Sequence, residues 1–226
     1  MISILIPTRG RRAGLERAIR SARETAHSAD CLEFVAYVDN DDALTYVDFG
    51  CDVKFVYGPR IVLSNTWNKC AEVAKGDILC QGNDDIIFRT PGWVRIIEEE
   101  FAKIPDRLVM VHGSDGSKNY GSSSGQFGPH PFISRQWMET LGYFTAPYFS
   151  SDFGDTWLND LANAIGRRRY VPVIIEHMHF IFGKSETDRT TSERLERHSR
   201  DNCGQLYADL APLREVDIEK LKAAMR

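Results

Sequence analysis

The chain has 226 residues, with 28 Lys plus Arg against 32 Asp plus Glu and a net charge of −4. Hydrophobic residues make up 42% and charged residues 27%, which excludes wholesale disorder and a uniformly basic nucleic-acid coat. The length is enough to bury a core without staples and predicts one large domain or a domain with extensions.

Residues 2–7 are a β-branched apolar run that stops at Pro7 without a basic leader, so they read as a first strand. A polar, arginine-rich loop (8–14) precedes a helix over 15–26, with apolar residues at 15, 18, 19 and 22. A strand at 33–38 runs into the acidic turn Asp39-Asn40-Asp41-Asp42, and a third strand covers 53–57. A helix over 65–74 leads to a strand at 77–81, followed at once by Gly82-Asn83-Asp84-Asp85. Thr90-Pro91 starts a helix to about Ala102. A strand at 107–112 leads into the Gly/Ser-rich stretch Gly113–Gly128, a long loop. Ser134 caps a helix ending near Gly142; a helix over 156–165, a strand at 170–175 and an amphipathic helix at 216–225 complete the chain.

No apolar run approaches the roughly 18 residues of a transmembrane helix. The five cysteines (31, 51, 70, 80 and 203) are odd in number and lack a C-x-x-C pair. That argues against a disulfide framework and for a cytoplasmic location. Alternating strands and helices predict an α/β fold with a mostly parallel sheet covered on both faces. Ligands in such sheets bind beyond the strands' carboxyl ends. Those ends carry Thr8-Arg9, Asp39 to Asp42, Asn83-Asp84-Asp85 and His112-Gly113.

Asn83, Asp84 and Asp85 offer oxygen ligands suited to Mg²⁺ or Mn²⁺, or form an ordinary turn. Arg9, Arg11 and Arg12 beside a helix start suit phosphate, or form a solvated face. The loop matches neither G-x-G-x-x-G nor the P-loop pattern, which disfavours a dinucleotide or P-loop site. His177 and His179 share a face if the strand continues through them, and either is a potential metal ligand. Asp152 and Asp155 are candidates for a general base or a helix cap. Tyr143, Phe144, Tyr148, Phe149, Phe153 and Trp157 fit core packing or ring stacking, and Arg167 to Arg169 form a basic patch.

The opening Ser3 to Arg11, the run Asn65-x-x-Asn68 … Ala74-x-Gly76-Asp77-Ile78-Leu79 … Asn83-Asp84-Asp85, and Asp155 followed by Trp157-Leu158 and Gly166 together resemble glycosyltransferase family 2 over about residues 2–180. Phe132 to Arg135 and Leu141 to Phe144 look like that family's acceptor-side helix. Two departures stand out: Asn83 replaces the first aspartate of the metal motif, and Gly154 replaces a glutamate.

The resemblance implies a GT-A fold over 1–180, with 181–226 a polar helical extension packed on the same domain. It implies a nucleotide-diphosphate sugar donor, most readily a UDP-sugar, and Mn²⁺ or Mg²⁺ as cofactor. Pro7, Thr8, Arg9, Arg11 and Asn65 would line the nucleotide, and Asp39 or its neighbours Asp41 and Asp42 would receive uracil or ribose. Asn83 and Asp84 would lie by the diphosphate, Asp85 would hold the ion, and His177 or His179 would complete its shell. Asp155, with Asp152 second, would be the base of a single inverting displacement. Gly113–Gly128 and Lys184–Gln205 would close over the donor. The acceptor stays open among a glycan, a small molecule and a modified DNA base, the last because compact members also look like bacteriophage enzymes. A nucleotidyltransferase lacks its loop lysine here, and a metal-dependent hydrolase wants more ligands than six histidines readily supply. A non-catalytic sugar-nucleotide or glycan-binding protein is the remaining alternative.

Overall fold

Short β-branched runs form the middle of a sheet that the rest of the chain wraps. The computed structural model describes residues 1–28, 31–117, 125–180 and 183–226. Strands β1 (Ile2–Thr8), β2 (Leu32–Asp39), β3 (Lys54–Gly58) and β4 (Ile78–Gln81) pair in parallel in the order β3-β2-β1-β4. The crossover helices are α1 (Arg12–Thr25) and α2 (Leu63–Val73). Alternation along β1 sends Ile2, Ile4 and Ile6 to the α1 face and Leu5 to the α2 face, where Trp67 and Cys70 pack. Both faces are therefore covered, as the strand–helix alternation predicts.

Beyond β4 the sheet becomes mixed. The next elements are β5 (Ile86–Phe88), α3 (Trp93–Ala102), β6 (Met110–Ser114), β7 (Phe132–Ser134) and α4 (Arg135–Leu141). Then come α5 (Gly154–Ala164) and β8 (Arg168–His177). Among the described residues the order is β3-β2-β1-β4-β7-β6-β8-β5. β7 runs antiparallel to β4 and β6, β8 is parallel to β6, and β5 is antiparallel to β8. Helices α6 (Arg189–Asp201), α7 (Cys203–Asp209) and α8 (Ala211–Ala224) follow. α8 lies on α4 and α5 and puts Ile218 and Leu221 into the core beside Trp137 and Trp157.

Four elements depart from the sequence reading. Phe132–Ser134 is a strand, not helix; the helix starts at Arg135, and Ser134 Oγ caps it by accepting from Trp137 N at 3.1 Å. β8 extends to His177 and stops there, so His179 lies outside the strand. β5 had no counterpart, and α8 begins at Ala211 rather than near 216; α6 and α7 lie within the expected polar helical extension.

One buried amide fixes the loop ahead of α5. Asn68 Oδ1 accepts from Phe144 N and Thr145 N, both at 3.0 Å, and its Nδ2 donates to Thr145 O at 2.9 Å. Thr145 Oγ1 in turn donates to Gly154 O at 3.1 Å. Asn68→Ala leaves two buried N–H groups and a carbonyl without partners, and is expected to cost roughly 2–4 kcal/mol of stability. Chemical denaturation measures this; a loss under about 0.5 kcal/mol would show that the loop is held elsewhere.

Candidate functional site

The carboxyl ends of β1, β2, β4 and β8 open onto a cleft of about 980 Å³. Its outer wall is α6 with its capping residue, which contribute Asp188, Thr190, Thr191, Arg194, Arg197 and His198. α6 carries few buried side chains and is held by polar bonds. Arg11 donates to both oxygens of Asp188 at 2.6 and 2.7 Å and to Thr191 Oγ1 at 2.8 Å. Thr190 Oγ1 donates to the carbonyl of Arg9 at 3.0 Å. Glu193 pairs with Arg60. The bidentate contact to Arg11 holds the Asp188 carboxyl well below the usual carboxylate range, against the cost of its partial burial.

At one end of the cleft, Arg9 reaches Asp39 at 3.0 Å and Asp41 at 2.7 Å. Arg60 Nε stands 3.9 Å from the same Asp39 oxygen. Asp39 is therefore an acceptor between two guanidinium donors. Burial raises its pKa against the pull of both arginines.

At the centre lie Asp84 and Asp85. Asp84 is 5% exposed and accepts from Thr8 Oγ1 at 2.9 Å and Arg11 Nη1 at 3.3 Å. Gly14, in the first turn of α1, allows this approach: a Cβ there would meet the Asp84 carbonyl at 2.6 Å. Burial and the neighbouring Asp85 charge raise the pKa of Asp84. Asp85 moves the other way. Burial opposes its charge, but His177 Nε2 at 3.2 Å and the nearby Arg11 hold it lowered. The His177 ring stands 5.1 Å from that of His130 and 5.0 Å from that of His179. Burial and the charge of His177 lower His179 to about 4.

Asp155 sits in the first turn of α5, after Phe153 in the left-handed region at φ 77°. Its carboxylate accepts from Thr156 N at 2.8 Å. Burial pushes its pKa up to about 6, the charge of Asp152 adds to this, and the Thr156 amide opposes it. Asp152 itself is exposed and bound to Arg194 at 2.7 Å and His198 at 2.8 Å.

Of the residues singled out from sequence, Pro7, Thr8, Arg9, Arg11, Asp39, Asn83, Asp84, Asp85, Asp152, Asp155, His177 and His179 all line this cleft. Three do not: Asn65 faces Asn68 on α2, 3.4 Å from its amide, Asp41 is exposed and bound to Arg9, and Asp42 accepts from Gly10 N at 2.6 Å. Arg167 is paired with Asp106 and Arg168 with the Gln126 carbonyl, away from the cleft. Phe144, Phe149 and Trp157 are core, whereas Phe153 lines the cleft. Of the stretch Gly113–Gly128, residues 118–124 lie outside the described residues. Sequence reasoning missed Arg60, Gln81, Asp115, His130, Asp188 and Arg194, which line the cleft from five separate segments and form no motif.

Among the described residues, no three acid, His or Cys side chains stand together as a cation cage. The Asp85–His177 contact brings together one carboxylate and one imidazole. That donor set fits Mn²⁺ or Mg²⁺ where substrate phosphate oxygens supply the other ligands.

No family model and no curated protein matches the sequence. Solved structures match in fold. S. aureus TarS 1-349 in complex with UDP superposes with a TM-score of 0.59 at 10% identity, over 76% of this chain and 59% of that one. The same protein in complex with UDP-GlcNAc gives 0.56 at 10% identity, over 76% and 57%. The mannosyltransferase PcManGT from Pyrobaculum calidifontis, in complex with GDP-Man and Mn²⁺, gives 0.59 at 14% identity, over 99% of this chain and 73% of that one. The chain spans less than two thirds of TarS 1-349 in the UDP and UDP-GlcNAc complexes, and these likenesses show a GT-A type fold.

Proposed function

We propose that this chain of GT-A fold is a metal-dependent, inverting glycosyltransferase that uses a UDP-sugar. The observation that carries the reading is geometric: Asp155, in the first turn of α5, and the Asp85–His177 pair, 3.2 Å apart, line one cleft, with burial pushing Asp155 up and His177 holding Asp85 lowered. Environments that separate two acids in this way divide their tasks. Asp155 is poised to take a proton, and Asp85 to stay charged.

The Arg9–Asp39–Arg60 row supports the choice of base. It presents donor, acceptor and donor in sequence. Uracil offers the complementary edge: two carbonyl oxygens flanking one N–H. Cytosine and adenine carry a bare ring nitrogen where the N–H is needed. Thr8 and Arg11 order Asp84 at the β1 end, and the arginine-rich wall of α6 suits a diphosphate.

Asp85 and His177 would hold the divalent ion, whose chemistry when bound is to neutralise the charge of the departing diphosphate. Asp155 takes the proton of the acceptor hydroxyl as that oxygen attacks the anomeric carbon. The bond to the diphosphate breaks on the opposite face, and the configuration inverts. α6 excludes water that would otherwise compete with the acceptor.

A thermal-shift panel of UDP, GDP, CDP, ADP and TDP, each with and without Mn²⁺, tests the reading. A Mn²⁺-dependent rise with UDP is expected, because a ligand of the native state stabilises it by mass action. No shift with any nucleotide would refute it. The pH profile gives a second check. Asp155 acts only when ionised, so kcat/KM should climb about tenfold per unit below pH 6 and level off above. A profile flat from pH 5 to 8 would remove Asp155 from the role.

A further inference from the structure

Two side chains on the cleft floor take no part in that scheme. Gln81 ends β4, and His130 precedes β7; they are 4% and 3% exposed and both line the cleft. Among the described residues, Gln81 Oε1 and both ring nitrogens of His130 make no hydrogen bond of good geometry, the imidazole having only the Gln81 backbone beside it as a weak contact. Such atoms cost about 1–3 kcal/mol each when left unmade. The other buried unpartnered atoms, in Ser64, His112, Trp137 and Trp157, belong to residues that do not line the cleft; His198, which does, stands 2.8 Å from Asp152.

The two residues are fixed beside the chemistry. Gln81 N donates to Pro131 O at 3.0 Å, which ties the strand end to the segment carrying His130. The Gln81 amide lies under the start of α5: a Cβ on Gly154, next to Asp155, would stand 3.7 Å from Gln81 Nε2. The His130 ring packs edge-on against His177, which in turn holds Asp85.

We infer that Gln81 and His130 read the hydroxyls of the donor sugar, and that this sugar is neutral rather than a uronic acid; the inference rests on the glycosyltransferase reading above. A carboxamide and an imidazole each present polar atoms suited to hydroxyl groups. The charges nearest these two residues are acidic: Asp85 and Asp115 face His130, and Asp155 follows the Gly154 that lies over Gln81, so a carboxylated sugar is disfavoured there, whereas the cleft's arginines lie at Arg9 to Arg17, Arg60 and α6.

Gln81→Met and His130→Phe keep shape and remove the polar atoms. Calorimetry in Mn²⁺ with UDP, UDP-glucose, UDP-N-acetylglucosamine and UDP-glucuronate, with GDP and GDP-mannose alongside, reads the outcome. The wild type is expected to bind a neutral sugar nucleotide at least about tenfold tighter than the glucuronate. Each variant should bind the free nucleotide as the wild type does and lose about tenfold for the preferred sugar nucleotide, the worth of one or two buried hydrogen bonds. Each should also melt no lower than the wild type, because it removes unpartnered polar atoms.

Unchanged sugar-nucleotide affinity would overturn the inference. So would a parallel loss for nucleotide and sugar nucleotide with a lowered melting temperature, which marks a packing role. Preference for the glucuronate would overturn the sugar class. A wild type that binds no nucleoside diphosphate refutes the glycosyltransferase reading itself, a result seen before any variant is compared. Gln81→Asn, which keeps the amide and shortens its reach, should show the same selective loss and serves if the methionine variant does not fold.

Discussion

Asp155→Asn is expected to lower the turnover number by roughly 10²- to 10⁴-fold. The amide keeps the size of the carboxylate, and its oxygen still accepts from Thr156 N, so the first turn of α5 is undisturbed. What it loses is a site that can take a proton at neutral pH. Affinity for UDP should stay within about twofold, because the contacts assigned to the nucleotide come from Arg9, Asp39 and Arg60. Asp152 cannot stand in: it is exposed, and its two oxygens are bound by Arg194 and His198. Asp152→Asn is therefore expected to cost under about fivefold. Steady-state kinetics on both variants decides between them. If Asp152→Asn carried the large loss and Asp155→Asn the small one, the base would be reassigned.

Asp85→Asn should weaken the Mn²⁺ dependence of nucleotide binding by about 100-fold, and turnover with it. The substitution removes the one carboxylate that His177 and Arg11 keep charged. It also relieves Asp84 of a like-charged neighbour, so Asp84 ionises more readily. Asp84 cannot replace Asp85, since its oxygens are taken by Thr8 and Arg11 and it is buried. His177→Ala is expected to cost less, about tenfold, because substrate oxygens and Asp85 remain. A Mn²⁺ titration of UDP affinity gives the midpoint for each protein. A midpoint unmoved in Asp85→Asn would show that the ion binds elsewhere or takes no part.

The half of the fold built on periodicity was readable from sequence. β1, β2 and β4 are β-branched or apolar runs, and α1 repeats apolar residues at Leu15, Ala18, Ile19 and Ala22, the four it buries. β5 and β7 were not readable: three residues each carry too little alternation, and their neighbours in the sheet come from far along the chain. α6 was not readable for a different reason. It buries only Thr191, so it has no apolar stripe to detect, and its attachment is ionic, to residues near the other end of the sequence. Asp39, Asp84, Asp85, His177 and His179 were legible because they end or follow strands. His130 and Gln81 were not, because a single buried polar residue announces nothing until its lack of a partner is seen in three dimensions. Asn65 shows the opposite hazard: it sits in a matching run, yet the helix turns it out of the cleft.

The Arg11–Asp188 clasp joins residues 177 positions apart. Its formation carries the loop-closure entropy of most of the chain, and it comes after the local pairings have reduced that cost. On the ribosome, where synthesis proceeds from the N-terminus, every strand of the sheet emerges before Asp188 does. The sequence that forms the floor of the cleft, Asp84 and Asp85 included, is therefore synthesised before the outer wall that Asp188 fastens. Arg11 also pairs with Asp84 and Asp85, so one guanidinium joins the early-made and late-made parts of the cleft.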